Sequence, residues 1–313
     1  MVSQNSTIGF IGLGAMGQLM AGRLITSGFR LVAYDHTSRK TAALVVKGAV
    51  PAPSVRQLAR KSEVIISCLP NDKAVLSVYQ GPEGVIACAN PGTTVIEMST
   101  ISPDTSRELH RMGIERGIEV LDVSISGSTP AAESGTLTLL GGGDPKVFDE
   151  CQPIFSAIAK QYFLLGPSGS GTTMKLVVNA LLGLNMQAIA EAVAFGEKAG
   201  LDRKLLLEVL AKTAVVSTAH QNKLLRAERD DYSPQFPLKL MNKDFRLILD
   251  KAAELGAPMP ATAAALQVNA ARTAVNGDED FSSVICEMER LARVHENSRP
   301  TSLISRLKAV SAR

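Results

Sequence analysis

The sequence predicts an α/β domain with a mainly parallel sheet, followed by an all-α domain. In the first half of the 313 residues, short β-branched runs alternate with helix-like segments, which is the pattern of successive βαβ units. After Gly166 the remaining segments have helical periodicity. The length suits about two domains of roughly 150 residues each. We therefore expect one domain over residues 1–166 and a second over residues 167–313.

The order of the elements follows from these patterns. Strands are predicted at residues 7–11, 30–34, 64–68, 94–97, 117–123, 137–140 and 161–165. The clearest helices between them are predicted at residues 17–27 and 105–116. A long helix, residues 172–198, follows a glycine-rich loop, and Gly200 suits its C-terminal end. Further helices are predicted at residues 203–212, 218–229, 237–255, 260–275 and 281–293, and the polar tail from His295 is expected to be loosely held.

Composition restricts the partners of this chain. The net charge is +3 with both signs spread along the sequence, and aromatic residues make up only 4%, so we expect no nucleic-acid partner. The N-terminus lacks the features of a signal peptide, and no run reaches the ~18 apolar residues of a membrane span, so no membrane partner is expected. Four cysteines stand singly, which predicts reduced, buried thiols and a cytoplasmic location.

A glycine-rich turn near the N-terminus predicts a phosphate-binding loop. Gly12, Gly14 and Gly17 directly follow a predicted strand and open a predicted helix. In this setting the first glycine permits a tight turn, the second lets the backbone approach a pyrophosphate, and the third lets helix and strand pack closely. Unpaired N–H groups at the helix N-terminus would face the anion. The expected cofactor-binding loop comprises Gly12, Leu13, Gly14, Ala15, Met16 and Gly17.

An acidic residue at the expected distance indicates a dinucleotide. Asp35 ends the second predicted strand, where its carboxylate would accept hydrogen bonds from an adenosine ribose. Together, the loop and the acid predict a Rossmann-type domain. Asp35 would repel a 2′-phosphate, so we expect NAD in preference to NADP. The next residues leave NADP open, because His36, Thr37, Arg39 and Lys40 would accept a 2′-phosphate if Asp35 turned away.

Four ordered motifs extend across nearly the whole chain. They are GFIGLGAMG at residues 9–17, DVSISGSTPAAESGTLTLLGGG at 122–143, GSGTTMKLVVNALL at 169–182 and LMNKDF at 240–245. In this order and spacing the sequence resembles the β-hydroxyacid dehydrogenases, which include 3-hydroxyisobutyrate dehydrogenase and tartronate semialdehyde reductase. The resemblance implies hydride transfer between a nicotinamide cofactor and a small 3-hydroxy acid, or reduction of the matching semialdehyde. It also implies a small carboxylate-bearing substrate and a homodimer or homotetramer.

A lysine and an asparagine in the third motif have a spacing that suits catalysis. Lys175 and Asn179 are four residues apart on a predicted helix, so they share a face. Lys175 lies in an apolar run, and desolvation lowers the pKa of a lysine toward neutrality, where it can exchange a proton with an alcohol. The resemblance implies that Lys175 is the general acid/base and that Asn179 helps to hold the substrate. From the residues alone, a lysine that extends from a helix end into solvent is the alternative.

Small residues after a predicted strand indicate a carboxylate site. Ser126, Gly127 and Ser128 would expose backbone N–H groups, and the resemblance implies that they bind the substrate acid. A plain turn is the alternative. The family commonly has an Ala-Pro pair before a valine here, whereas this chain has Val-Ser-Ile at residues 123–125, and Ser128 replaces a usual glycine. These departures leave the shape of the pocket, and hence the substrate, open.

The remaining site residues are assigned by the resemblance alone. Thr100 and Lys243 match the family's contacts at the nicotinamide, and Leu69 and Pro70 match its contact along the adenosine side. No metal is predicted, because the four histidines do not cluster with acids or cysteines in the sequence, so polarisation of the alcohol falls to Lys175. Two other functions stay open: a non-catalytic NAD(P)-binding module of the same fold, and an imine reductase-like enzyme. Lys175 disfavours both, since those relatives generally lack the lysine.

Overall fold

The structure is a computed structural model and describes residue 3 and residues 5–294. Its strands are β1 (Thr7–Ile11), β2 (Arg30–Tyr34), β3 (Val50–Pro51), β4 (Val64–Ser67), β5 (Thr94–Glu97), β6 (Glu119–Ser126), β7 (Leu137–Gly142) and β8 (Ala159–Leu164). Within the described residues they form one sheet with the order β3-β2-β1-β4-β5-β6-β7-β8. Neighbouring strands are parallel except for β6 and β7, which are antiparallel.

Helices connect the strands and then make up the rest of the described chain. Before β8 they are α1 (Ala15–Thr26), α2 (Ser38–Val45), α3 (Val55–Lys61), α4 (Asp72–Tyr79), α5 (Val85–Cys88), α6 (Pro103–Ile114), α7 (Thr129–Ser134), α8 (Pro145–Glu150) and α9 (Gln152–Ile158). After β8 they are α10 (Ser170–Lys198), α11 (Arg203–Ala211), α12 (Thr218–Ala227), α13 (Leu238–Glu254), α14 (Pro260–Asn276) and α15 (Val284–Leu291), with a 3₁₀ turn at Phe281–Ser283.

The predicted fold class is confirmed: a mainly parallel sheet precedes a helical portion that begins with a long helix. The predicted strands and helices are present and differ only at their ends. One strand, β3, was not predicted, because it has two residues and one of them is Pro51, which cannot donate a ladder hydrogen bond and suits an edge position. The prediction for the tail from His295 lies outside the described residues.

The strand order positions the candidate site. β1 lies between β2 and β4, so the order of the strands reverses there. Because β1, β2, β4, β5 and β6 run parallel, their carboxyl ends lie along one edge of the sheet. Ligands of open α/β sheets bind outside this edge at the point of reversal. The loops after β1 and β4 therefore frame the predicted dinucleotide site.

Helices cover both faces of the sheet. Along β1 the side chains of Ile8 and Phe10 belong to one hydrophobic core and that of Ile11 belongs to another, and each is almost completely buried. Val95 in β5 joins the core of Ile11, and Ile96 joins the core of Phe10. Burial on both faces explains why these strands are nearly continuous apolar runs rather than alternating ones.

The described chain packs as two compact units. One extends as far as Asn179 and contains the whole sheet, and the other starts at Ala180 and is helical. The division falls inside α10, so the first turns of this helix pack with the sheet-containing unit. The domain boundary predicted after residue 166 lies just beyond the last strand, which ends at Leu164. This boundary stays a prediction.

By length and composition, α10 could cross a membrane. Polar residues such as Asn179 and Gln187 interrupt its apolar sequence, so no unbroken apolar run reaches the length of a membrane span. Of the apolar window, 44% is buried within the protein, and a core helix of a globular protein meets the same criterion. The expectation of no membrane partner therefore stays a prediction.

A charge cluster holds the C-terminal end of α10. The Glu197 carboxyl lies near that of Glu289 in α15, and Arg203 of α11 donates from Nε to Glu289 Oε1 at 2.6 Å. Burial raises the pKa of Glu197 to about 7, and the neighbouring Glu289 carboxyl adds to this effect. Glu197 is therefore protonated in the folded protein at mildly acidic pH.

We expect Glu197 to lower the free energy of unfolding as the pH rises. In the unfolded chain it would ionise near its ordinary pKa of 4.5, whereas in the folded chain it keeps its proton up to about pH 7. Its stabilising contribution is thus complete below pH 4.5 and is lost by about pH 7. Urea denaturation across this range, compared with Glu197→Gln, isolates the effect from other carboxyls. Identical pH dependence in the two proteins would contradict the expectation.

Candidate functional site

The glycine loop after β1 forms a tight turn that only glycine allows at two positions. Gly12 has a positive φ of 91°, and its N–H donates to the Tyr34 carbonyl oxygen at 3.0 Å. A Cβ at Gly17 would overlap the carbonyl oxygen of Gly12. The turn and the start of α1 are therefore as close as the sequence motif predicts.

The middle glycine of the loop leaves open space. A Cβ at Gly14 would meet nothing within 4 Å, and Gly14 is exposed at the N-cap of α1. No side chain caps this helix end, and its first turn holds no acidic residue. Exposed Ala15 and partly buried Met16 follow, whereas Leu13 is fully buried. An uncapped helix N-terminus beside open space fits a pyrophosphate, so these residues fit a dinucleotide.

Asp35 connects the end of β2 to the glycine loop. Its Oδ2 accepts the Leu13 N–H at 2.8 Å and its Oδ1 accepts the Thr37 N–H at 2.8 Å. Lys40 Nζ lies 3.6 Å from Oδ2 and His36 Nδ1 lies 3.3 Å from Oδ1. Burial raises the pKa of Asp35, but the two N–H groups and the nearby basic side chains outweigh it and hold the pKa below its ordinary value. Asp35 is therefore a carboxylate at neutral pH.

The other predicted contacts of unit one follow the same edge of the sheet. Leu69 and Pro70 follow β4 after one intervening residue, and Thr100 comes shortly after β5. The Leu69 N–H donates to Ser99 Oγ at 2.7 Å, so the two turns are linked. The structure thus brings these three predicted residues and the glycine loop to one edge.

The predicted carboxylate-binding residues lie at the end of β6. Ser126 ends the strand, Gly127 has a φ of 139°, and Ser128 is the N-cap of α7. Gly127 and Ser128 are exposed. A left-handed glycine followed by a helix start without a side-chain cap suits an anion that would bind exposed backbone N–H groups.

Asp122 fixes the start of α10, a role that the sequence analysis did not predict. This residue of β6 is 1% exposed, and its Oδ1 accepts the Gly169 N–H at 2.8 Å. Its Oδ2 accepts the Thr172 N–H at 2.9 Å. Burial raises the pKa of Asp122, against the effect of these hydrogen bonds. The carboxylate ties the helix N-terminus to the sheet, where the helix dipole favours negative charge.

Lys175 and Asn179 are one turn apart on α10, as predicted. Lys175 is partly buried, and Asn179 is 1% exposed. Burial raises the pKa of the Cys68 thiol, just after β4, to about 12, and the nearby Glu97 carboxyl adds to this effect, whereas the Lys175 charge opposes it. The lysine therefore lies near the carboxyl end of β4, the edge that also carries the glycine loop.

Lys243 belongs to the second unit. It lies on α13, partly buried, and its Nζ is 2.9 Å from Oδ1 of the buried Asp244. The motif LMNKDF thus forms a helix turn in which the lysine is held by its neighbour. Its contact with the cofactor stays a prediction.

Two further observations concern the thiols and metals. Cys68, Cys88, Cys151 and Cys286 are free thiols, but Cys68 and Cys286 are only partly buried, so the prediction of burial was wrong for these two. Among residues 3 and 5–294, no three His, Cys, Asp or Glu side chains gather as metal ligands would. The prediction that this protein uses no metal is not tested by this and stays a prediction.

We expect alanine at Gly14 and at Gly17 to have different effects. Gly17→Ala should destabilise the fold by about 2 kcal/mol, because its Cβ would overlap backbone. Gly14→Ala should change stability by at most about 1 kcal/mol but weaken NADH binding about tenfold or more, because its methyl group would enter the space for the pyrophosphate. Thermal unfolding and fluorescence titration check both. Full NADH affinity in Gly14→Ala would exclude this loop as the phosphate site.

Comparison with known families agrees with this geometry. Residues 7–166 match the model for the NAD binding domain of 6-phosphogluconate dehydrogenase. Residues 169–288 match the model described as NAD-binding of NADP-dependent 3-hydroxyisobutyrate dehydrogenase. The cofactor is therefore NAD or NADP.

Individual relatives match along nearly their whole length. The chain is 37% identical to 2-(hydroxymethyl)glutarate dehydrogenase of Eubacterium barkeri over 92% of this chain and 96% of that protein. It is 35% identical to glyoxylate/succinic semialdehyde reductase 1 of Arabidopsis thaliana over 89% of this chain and 96% of that protein. A solved structure of 3-hydroxyisobutyrate dehydrogenase from Mycobacterium tuberculosis with L-serine gives a TM-score of 0.82 at 30% identity, covering 90% of this chain and 98% of that one. This chain belongs to the β-hydroxyacid dehydrogenase family.

Proposed function

We propose that this protein is an NAD(P)-dependent oxidoreductase that acts on a small 3-hydroxy acid or on the matching semialdehyde. The nicotinamide, when bound, supplies the hydride acceptor or donor. Lys175 takes the hydroxyl proton during oxidation and returns it during reduction. Asn179 orients the alcohol, and the backbone N–H groups of Ser126, Gly127 and Ser128 bind the substrate carboxylate.

The setting of Lys175 is the observation that carries this proposal. Asp122 fixes the first turn of α10, and Lys175 follows in the next turn. Its charge acts on Cys68 after β4, the strand beside β1 and its glycine loop. An amine near this edge can exchange a proton with an alcohol whose carbon faces the cofactor, which is general acid/base catalysis. Its positive form also stabilises a developing alkoxide.

The relatives support the substrate class. Their names refer to 2-(hydroxymethyl)glutarate and to glyoxylate and succinic semialdehyde, which are small acids bearing a hydroxymethyl or aldehyde group. A carboxylate anchor in this chain and a proton-exchanging lysine serve both directions of such a reaction. The presence of Lys175 disfavours the non-catalytic module and the imine reductase-like enzyme.

The proposal includes a homodimer or homotetramer. On α10 the side chains of Leu181 and Phe195 are 60% and 76% exposed, and Leu205 of α11 is 59% exposed. Large exposed apolar side chains on neighbouring segments are typical of an interface between subunits. The cytoplasmic location is part of the same proposal and rests on the four free thiols.

We expect Lys175→Ala to lower kcat by about 10²- to 10⁴-fold, the usual contribution of a positioned acid/base. The substrate would first be found by following nicotinamide absorbance with a panel of 3-hydroxy acids and NAD⁺ or NADP⁺, and of semialdehydes with NADH or NADPH. NADH affinity should change by less than about threefold, because the lysine is not needed to hold the dinucleotide.

Lys198 offers a matched control on the same helix. It is exposed at the C-terminal end of α10, where its Nζ donates to the Arg293 carbonyl oxygen at 3.1 Å. Lys198→Ala should therefore leave kcat unchanged. Unchanged turnover in Lys175→Ala would remove this lysine from the reaction.

We propose a preference for NAD over NADP, set by Asp35. Its carboxylate stays ionised at neutral pH and would repel a 2′-phosphate, although Lys40 lies 3.6 Å away and partly neutralises it. The side chain of Asp35 is only 4% exposed, so water screens its charge less than that of a surface carboxylate.

Asp35→Asn should lower the ratio of kcat/KM with NAD⁺ to kcat/KM with NADP⁺ by about tenfold, which is about 1.4 kcal/mol. The ratio cancels any effect of the variant on folding or on Lys175. Lys40→Met should shift the ratio in the opposite direction, since it removes the cation beside Asp35. An equal loss with both cofactors in Asp35→Asn would mean that this carboxylate only holds the glycine loop.

A further inference from the structure

A row of buried polar side chains crosses three neighbouring strands. Ser67 of β4, Glu97 of β5 and Asp122 of β6 occupy paired register positions. Ser67 and Glu97 end their strands, and Asp122 lies within β6. Ser67 and Glu97 are 0% exposed and Asp122 is 1% exposed. Asp122 holds the start of α10, but the catalytic proposal gives Glu97 no role.

Glu97 is the centre of a hydrogen-bonded chain. Its Oε2 accepts a short hydrogen bond from Ser67 Oγ, which in turn lies 2.6 Å from the Tyr79 hydroxyl oxygen of α4. Its Oε1 accepts the Ser99 N–H at 2.7 Å. Burial raises the pKa of Glu97, although these hydrogen bonds oppose the effect.

Ser99 extends this series of hydrogen bonds to the turn after β4. Its backbone N–H is held by Glu97, and its Oγ accepts the Leu69 N–H at 2.7 Å. Two turns at the sheet edge are thereby joined: residues 68–70 after β4 and residues 98–100 after β5. These turns carry three predicted cofactor contacts, namely Leu69, Pro70 and Thr100.

A carboxyl group in a hydrophobic core is unfavourable in free energy. Removing it from water costs several kcal/mol, and an apolar side chain of similar volume at such a place is often as stable or more so. Stability alone therefore gives no reason for a glutamate among Val95, Ile65 and Tyr79. A directional acceptor for one particular backbone N–H does give a reason.

We propose that Glu97 is a positioning residue which, through the Ser99 N–H, holds the Met98–Ser99–Thr100 turn and so orients the nicotinamide half of the cofactor against Thr100. This inference rests on the proposed function. The adenosine half is assigned to the glycine loop, Asp35 and the Leu69–Pro70 turn, whereas the hydrogen bonds of Glu97 go to Ser67 and Ser99.

The test compares NADH with ADP-ribose, which lacks the nicotinamide, by titration calorimetry. Glu97→Met keeps the side-chain volume but removes the acceptor, and it should weaken NADH binding about tenfold while changing ADP-ribose binding less than about threefold. Glu97→Gln keeps an acceptor for the Ser99 N–H and should restore most of the NADH affinity. With substrate, Glu97→Met should raise KM for the cofactor more than it lowers kcat.

A purely structural role would give a different pattern. Parallel loss of NADH and ADP-ribose binding, or unchanged NADH binding in Glu97→Met, would overturn the inference. If Glu97→Met does not fold, Glu97→Asp decides, because its shorter side chain withdraws the acceptor from the Ser99 N–H and should show the same selective loss of NADH affinity; unchanged NADH affinity in this variant would again overturn the inference. Failure of the unmodified protein to bind either ligand would instead contradict the proposed function.

Discussion

The geometry of the site depends on one buried carboxylate, that of Asp122 at the start of α10. It accepts the N–H groups of Gly169 and Thr172, which α10 cannot satisfy internally because they lie at its N-terminus. The positive end of a 29-residue helix adds to the attraction. An α-helix rises about 1.5 Å and turns by a constant angle at each residue. Since α10 is continuous, this single anchor therefore fixes the positions of Lys175 and Asn179 along and around the helix axis.

Carboxyl groups also accept loop N–H groups elsewhere along this edge of the sheet. Asp35 at the end of β2 takes the Leu13 N–H of the glycine loop, and Glu97 at the end of β5 takes the Ser99 N–H of the following turn. In each case a carboxyl at a strand end accepts an N–H group that the ladder does not use. A loop needs such partners, because an unpaired buried N–H group costs as much as a lost hydrogen bond. Three acids thus organise the segments that would surround a dinucleotide.

These carboxyls differ in their charge, and the difference follows from their surroundings. Burial raises the pKa of Asp35, but two backbone donors and the neighbouring Lys40 and His36 side chains outweigh it, so its pKa lies below the ordinary value. Burial raises the pKa of Glu97 and Asp122, which have hydrogen-bond donors but are more deeply enclosed. A permanent charge at Asp35 suits discrimination against a phosphate. A deeply buried carboxyl at Glu97 suits a fixed position instead.

The sequence alone determined the features that are local along the chain. The turn at Gly12, the start of α1 at Gly17 and the shared face of Lys175 and Asn179 each depend on residues within one turn of each other, so spacing was sufficient to predict them. The roles of Asp122 and Glu97 were not predicted. Gly169 lies 47 residues from Asp122, and Ser67 lies 30 residues from Glu97. Such partners meet only when the strands of the sheet align in register, and a single sequence does not encode that alignment in any local pattern. The tertiary structure therefore decided which acids hold the loops.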